Sequence, residues 1–267
     1  MTLGTMKKFF LTFGLLFSML LTGCGGVSES LNGEKIIVGI DDEFAPMGFK
    51  DENNEIVGFD VDLAKETIKR LGGEAEFKVI DWSNKEAELN SGNIDLIWNA
   101  LDITPERQEQ MLFSKPYMDS RQIVLIHLDN DKGIATEEDL AGKIVGVQKG
   151  STGEVNVNAN EKLRNSLKEL KTYKTSFLSA FIDLENGRID AAICDEIIIR
   201  YHIEKHPGKF KALDVTIGPV SIYGVAFAKE NTALRDKIQK SLDTVIEDGT
   251  AAEISKKWFG ADLIKKK

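Results

Sequence analysis

Ser91-Gly92-Asn93-Ile94-Asp95-Leu96 and Asn186-Gly187-Arg188-Ile189-Asp190-Ala191 are two forms of one phrase in a chain of 267 residues. Each joins the end of a helical stretch to a buried strand. Before the first, Ser83-Asn84-Lys85-Glu86 has the form of a capping box, in which a hydroxyl and a carboxylate three residues apart satisfy free amides at a helix start. Before the second, Phe177, Ala180, Phe181 and Leu184 return at helical spacing and so share one face. A phrase used twice predicts two lobes of related build.

Upstream, Ile36-Ile37-Val38-Gly39-Ile40 is an unbroken apolar run between polar residues, the pattern of a strand covered on both faces. After Gly58-Phe59-Asp60, the residues Val61, Ala64, Ile68 and Leu71 mark a helix, with Asp60 expected as N-cap and Gly72 just past the end. Glu76 to Ile80 alternates as a half-buried strand does, and Ile94 to Trp98 is apolar again. Further strands are expected at 144–147, 189–193 and 222–228. Leu234, Ile238, Leu242, Val245 and Ile246 line a closing helix, and a shorter one runs through Trp258. Strands alternating with helices predict an α/β chain with mostly parallel sheets, helices on both faces, and ligands beyond the carboxyl ends of the strands.

Charge narrows the partner. Forty-three acidic residues against 34 basic ones give a net charge of −9, a field that repels nucleic acid and anionic lipid. Two cysteines, Cys24 and Cys194, cannot make a disulfide framework, and His127, His202 and His206 show no metal-ligand spacing, so neither metal nor cofactor is expected. Lys7 and Lys8 precede an apolar run from Phe9 to Leu21 of signal-peptide size, shorter than the ~20 residues of a membrane span. It ends in Leu21-Thr22-Gly23-Cys24, which resembles a bacterial lipobox; a plain secretory cleavage before a buried cysteine is the other reading. On the lipobox reading residues 1–23 are removed and a lipidated Cys24 anchors the chain to the outer face of the cell membrane. Residues 24–34, rich in Gly, Ser, Glu and Asn, then form a flexible tether, and folding begins near Lys35.

Two charged positions stand out. Thr104-Pro105-Glu106-Arg107 follows the Ile94 strand, with Thr104 as N-cap, Pro105 at the first helical position and Arg107 in the first turn. A guanidinium beside free helix amides suits a carboxylate, although on spacing alone Arg107 could pair with Glu106 or Glu109. Asp195 ends the Ile189 strand, where an open α/β sheet meets its ligand, and suits an ammonium; it is equally placed to cap the helix through Ile197 to Ile199. Cys194 reads as a small core hydrophobe and Met47 as packing.

The ordered set Gly58-Phe59-Asp60-Val61-Asp62-Leu63, Gly92-Asn93-Ile94-Asp95-Leu96, Thr104-Pro105-Glu106-Arg107, Phe113-Ser114-Lys115-Pro116-Tyr117, Val145-Gly146-Val147-Gln148-Lys149-Gly150-Ser151-Thr152 and Gly187-Arg188-Ile189-Asp190-Ala191-Ala192 resembles the polar amino-acid substrate-binding proteins of ABC importers, bacterial extracellular solute-binding protein family 3. Each motif alone is weak; six in order across most of the chain after residue 35 are specific. The resemblance implies a two-lobed periplasmic binding protein type II fold with a two-strand hinge. Residues 35–120 plus 222–267 would make one lobe and 121–221 the other.

The resemblance also implies roles, position by position. Arg107 stands where the family grips the ligand α-carboxylate, and Asp195 where it receives the α-ammonium. Ser151 and Thr152, with Gln148 nearby, stand where the second lobe donates to the same carboxylate. Phe44 and Trp82 occupy the places of the aromatics that sandwich the ligand side chain, and Asp41 lies where the family meets its far end. Two positions depart from the pattern: Ala100 replaces a common Gly or Ser, and Asp102 replaces a Ser or Thr that accepts from the ammonium. Asp102 either faces the ligand as a second carboxylate or turns toward Arg107 or water.

With Asp42 and Glu43 beside Asp41, the expected ligand is a free polar amino acid with an amide or cationic head, glutamine or a basic amino acid, or cystine. The expected mechanism is closure of two lobes on a zwitterion by a monomeric binding protein, which docks on ABC transporter permease subunits. An enzyme is not expected. A dehydratase-like enzyme on the same scaffold would need Asp102, Glu196 or another cleft carboxylate with a raised pKa as an acid, and an extracellular sensor would need a membrane span after residue 24.

Overall fold

The computed structural model describes residues 30–129, 132–174 and 176–266. The expected signal peptide and lipidated Cys24 lie outside the described residues. In chain order the elements are β1 (Lys35–Ile40), β2 (Glu43–Phe44), β3 (Gly48–Lys50), β4 (Ile56–Val57), α1 (Phe59–Arg70), β5 (Glu74–Val79), α2 (Lys85–Asn90), β6 (Leu96–Ile97), α3 (Pro105–Gln110), β7 (Met111–Phe113), β8 (Met118–Ser120) and β9 (Gln122–His127). They continue with β10 (Ile144–Gln148), α4 (Thr152–Ala159), α5 (Glu161–Ser166), β11 (Glu169–Tyr173), α6 (Leu178–Glu185), β12 (Ala191–Asp195), α7 (Glu196–Lys205), β13 (Phe210–Thr216), β14 (Ser221–Tyr223), β15 (Ala226–Ala228), α8 (Thr232–Glu247) and α9 (Thr250–Phe259).

Two five-stranded sheets carry the fold, ordered β5-β1-β6-β15-β7 and β11-β10-β12-β9-β13. Their strand directions match. In the first, β1 pairs parallel with β5 and β6, while β15 runs antiparallel to β6 and β7. In the second, β10 pairs parallel with β11 and β12, while β9 runs antiparallel to β12 and β13. The sheets expected to be mostly parallel are thus evenly mixed. Parallel pairing needs a long crossover, whereas β9 and β15 enter their sheets straight from a short ribbon, β8 against β14, that joins the two halves.

The repeated phrase has a physical cause. Asp95 accepts from the Ile37 amide at 2.7 Å, and Asp190 accepts from the Ile144 amide at the same distance. Each aspartate therefore fastens a strand beside the centre of its own sheet, β1 or β10. The isoleucine before it packs on a glycine of that strand: a Cβ on Gly39 would lie 2.5 Å from Ile94 Cδ1, and one on Gly146 would lie 2.7 Å from Ile189 Cδ1. One packing solution is written twice.

Three local expectations are corrected. Asp60 is not the N-cap of α1: Gly58 holds that position, and the Phe59 and Asp60 amides donate to Pro46 and Met47 carbonyls. This leaves the Asp60 carboxylate free to accept from the Ala100 amide at 2.7 Å. Ser83-Asn84-Lys85-Glu86 forms no capping box, because Asp81 takes both the Ser83 amide and its hydroxyl. Within the stretch expected as tether, Leu31 is buried and residues 31 and 33 donate to the carbonyls of Leu71 and Gly72, so ordered packing precedes Lys35.

Candidate ligand-binding cleft

The parallel strands of both sheets deliver their carboxyl ends to one crevice. Asp41 follows β1, Asp102 follows β6 and bridges to Tyr223, Gln148 ends β10, and Asp195 ends β12. A narrow cavity is lined by Asp41, Phe44, Trp82, Ala100, Asp102, Arg107, Gln148, Ser151, Thr152 and Asp195, together with Asn99. All ten candidate positions from the sequence meet here. Asn99 was not among them.

Arg107 sits in the first turn of α3 as the sequence implied, with its amide donating to Thr104 Oγ1 at 3.3 Å and Pro105 at the helix start. Its guanidinium is buried and does not pair with Glu106 or Glu109. Nη1 donates to the Asp102 carbonyl at 3.0 Å and to Thr152 Oγ1 at 3.1 Å, and Nη2 donates to the Gly150 carbonyl at 3.2 Å. Burial lowers its pKa. Thr152 and Gly150 belong to the second half of the molecule, so one side chain spans the crevice. Ser151 caps α4, its Oγ accepting from the Glu154 amide at 3.2 Å.

Asp195 occupies the position before α7 but makes no capping bond. Its Oδ1 accepts from Tyr223 Oη at 2.6 Å and Ser120 Oγ at 3.2 Å. Asp102 Oδ1 accepts from Ser221 Oγ at 2.6 Å. The Asp102 carboxylate does not turn toward Arg107 as an ion pair; only its backbone carbonyl meets the guanidinium. Burial, and for Asp195 the nearby charge of Asp102, raise both carboxyl pKa values. Asp41 Oδ2 accepts from Gln148 Nε2 across the crevice at 2.6 Å, and burial pushes it up to about 6. Among the described residues no lysine, arginine or histidine forms an ion pair with Asp41, Asp102 or Asp195, and no carboxylate forms one with Arg107. The thiol of Cys194, buried next to Asp195, is pushed far above its usual range by burial.

Asn99 and Ala100 line the cavity, and Lys85 and Gly150 pack behind it. Asn99 accepts from the Asp41 amide through Oδ1 at 2.6 Å, while its buried Nδ2 has no partner. Ala100 adopts a left-handed conformation at φ 46°, uncommon outside glycine; the Asp60 bond to its amide holds it there. Lys85 is 2% exposed, and its Nζ donates to the Gly150 carbonyl at 2.9 Å and the Trp82 carbonyl at 3.2 Å. Gly150 itself, at φ 75°, is wedged so closely that a Cβ would lie 3.2 Å from Ser83 Cα.

Residues 36–261 match the model of bacterial extracellular solute-binding proteins, family 3. The chain belongs to that family. It is 33% identical to ABC transporter arginine-binding protein 1 of Escherichia coli strain K12 over 230 residues, covering 85% of this chain and 91% of that protein. It is 32% identical to the L-cystine-binding protein TcyJ of the same strain, with 86% and 84% covered. A histidine-bound ABC uptake transporter substrate-binding protein from Streptococcus pneumoniae superposes with a TM-score of 0.82 at 37% identity, over 87% of this chain and 95% of that one. Such solved neighbours are type II periplasmic amino-acid-binding proteins, so the two-lobed α/β class expected from the sequence holds.

Proposed function

We propose that this member of the family captures one free polar amino acid between its lobes and delivers it to the permease subunits of an ABC importer. The observation that carries this reading is the set of four buried charges around one cavity, Asp41, Asp102, Asp195 and Arg107, none with an ion-pair partner among the described residues. Buried charges without partners are costly, and a zwitterion offers both signs at once. Its α-carboxylate would take Arg107 with the Ser151 and Thr152 hydroxyls, and its α-ammonium would take Asp195 and Asp102. Phe44 and Trp82 would flank the side chain, and Asp41 with Gln148 would meet its end. The relatives named for arginine, cystine and histidine support an amino-acid ligand.

On this reading the halves made by residues 35–120 with 222–267 and by 121–221 open and close about the β8/β14 ribbon, and the ligand favours the closed form because only that form touches it from both sides. The chain acts as a monomer without a cofactor. It is held outside the cell membrane by lipid on Cys24 after loss of residues 1–23; no helix among the described residues is long and apolar enough to cross a membrane. The test is a thermal-shift screen of residues 25–267 against the twenty amino acids and cystine. At least one should raise the melting temperature by several degrees, and a screen in which none does would end the proposal.

A further inference from the structure

Two kinds of side chain cross the crevice. Arg107, which reaches Thr152 and Gly150, and Gln148, which reaches Asp41, also line the cavity. Lys85 crosses without lining it. From the start of α2 its ammonium donates to the Trp82 carbonyl at 3.2 Å and meets Glu86 Oε1 at 3.1 Å, both in its own half. The shortest of its three polar contacts, 2.9 Å to the Gly150 carbonyl, belongs to the other half. A lysine that only completed its own turn would end at Trp82 and Glu86; this one reaches on.

Both ends of the crossing are fixed. On one side the Lys85 ammonium lies 5.2 Å from the ring centroid of Trp82, an aromatic wall of the cavity. On the other, the Gly150 amide donates to Glu154 Oε2 at 2.6 Å and the Ser151 amide to the Gln148 carbonyl at 3.2 Å, so the turn is pinned. A Cβ on Gly150 would lie 3.2 Å from Ser83 Cα and 3.4 Å from the Trp82 carbonyl oxygen, which means that backbone meets backbone here. Gln148, Ser151 and Thr152 of the cavity flank Gly150 in the chain, and the same Gly150 carbonyl accepts from Arg107 Nη2 at 3.2 Å. Whatever grips Gly150 therefore also sets the wall that the second half lends to the cavity.

We propose that Lys85 is a positioning residue that latches the two halves together and sets how long a captured amino acid stays, without touching it. The inference rests on the amino-acid reading above. A bond between the halves exists only while they meet, so it favours the closed form alone. It is a buried bond with a charged donor, the stronger class. In the empty protein closure opposes the latch, because it brings Arg107, Asp102 and Asp195 together with no counter-charge delivered. A bound zwitterion removes that cost, and the latch then holds. The bond has to break before the halves part, so its loss falls on departure of the amino acid and not on its arrival.

Stopped-flow tryptophan fluorescence on residues 25–267 measures the two rates separately, with the probe being whichever of the twenty amino acids and cystine gives the largest thermal shift. Lys85→Met keeps an aliphatic stem against Trp82 and removes the donor. It should raise the dissociation rate about tenfold or more, with the association rate within about twofold of the unmodified chain. The ligand-free melting temperature should not fall, since the open form makes no bond between Lys85 and Gly150. An unchanged dissociation rate, a loss confined to association, or a ligand-free melting temperature that falls as far as the loaded one would overturn the inference while leaving the amino-acid reading intact. Failure of every amino acid to bind the unmodified chain would overturn both.

Discussion

Asp195 and Glu196 are adjacent in the chain and opposite in circumstance. Asp195 is buried among hydroxyls with no cation in ion-pair reach, and its pKa is raised by burial and by Asp102. Glu196 points to the outer side of the ribbon, where Arg121 grips it through two bonds, Nε at 2.5 Å and Nη2 at 2.8 Å, and Arg200 adds a third partner. Those bonds hold it down to about 2. Asp183 resembles Glu196: Lys171, Tyr173 and Arg188 surround it, and it too is held near 2. A carboxylate whose counter-charge is built into the fold does structural work. On the proposed function, the counter-charge that Asp195 lacks would arrive with the ligand.

The sharpest way to break this contrast is at Arg107, the cation that lines the cavity. Arg107→Ala should abolish ligand-induced thermal stabilisation and weaken affinity by at least about a hundredfold, since truncating one member of a buried charge pair typically costs about 3–5 kcal/mol. The ligand-free protein should still melt cooperatively. Undiminished stabilisation in this variant would remove Arg107 from the site.

Next comes the pH dependence of the ligand-free fold. The Asp41 carboxyl titrates near 6 when folded and near 4 when unfolded. The folded form therefore holds more protons between these values, and Asp41 costs nothing below about pH 4 and on the order of 3 kcal/mol above pH 6. Asp41→Asn should match the wild type at pH 4 and become progressively more stable than it toward pH 7. Glu196 works in the other sense. Its depressed pKa contributes stability that is present above about pH 4.5 and lost as pH falls toward 2. Glu196→Gln should thus fall below the wild type at neutral pH and rejoin it in strong acid. Melting curves showing both differences with the same sign would dissolve the contrast.

Smaller effects sharpen it. Trp82→Ala should weaken binding about tenfold by removing a cavity wall, with little change in the relative affinities of ligands that differ only at the α-groups. A titration series with side-chain and α-group analogues separates the two. Arg121→Ala should lower stability by only about 1 kcal/mol, because its bonds to Glu196 are partly open to water. Its ligand affinity should stay unchanged, and a change of several-fold would show that the outer cluster is wired to the cleft.

Much of this is legible in the sequence. Thr104-Pro105 fixed where Arg107 would sit because capping chemistry is local, and the two Ile-Asp phrases announced two sheets because each aspartate fastens a strand only a short distance away in space. Other features depend on distant chain. Asp60 had the right chemistry for a cap, and only the carbonyls of Pro46 and Met47, brought in by a separate loop, displaced it from that role. Lys85 falls within a stretch of capping-box form, and nothing local announces its burial beside Gly150, which lies in the other half of the molecule. The mixed strand directions were equally hidden, since no run of apolar residues states which way its neighbour runs.

The ribbon of β8 and β14 carries Ser120, Ser221 and Tyr223, the same hydroxyls that hold Asp195 and Asp102. On the proposed function, the joint on which the halves would swing would therefore also be the wall that meets the cargo's amine. In such a device the bearing and the sensor are a single part, and any change that loosens the movement also dulls the grip.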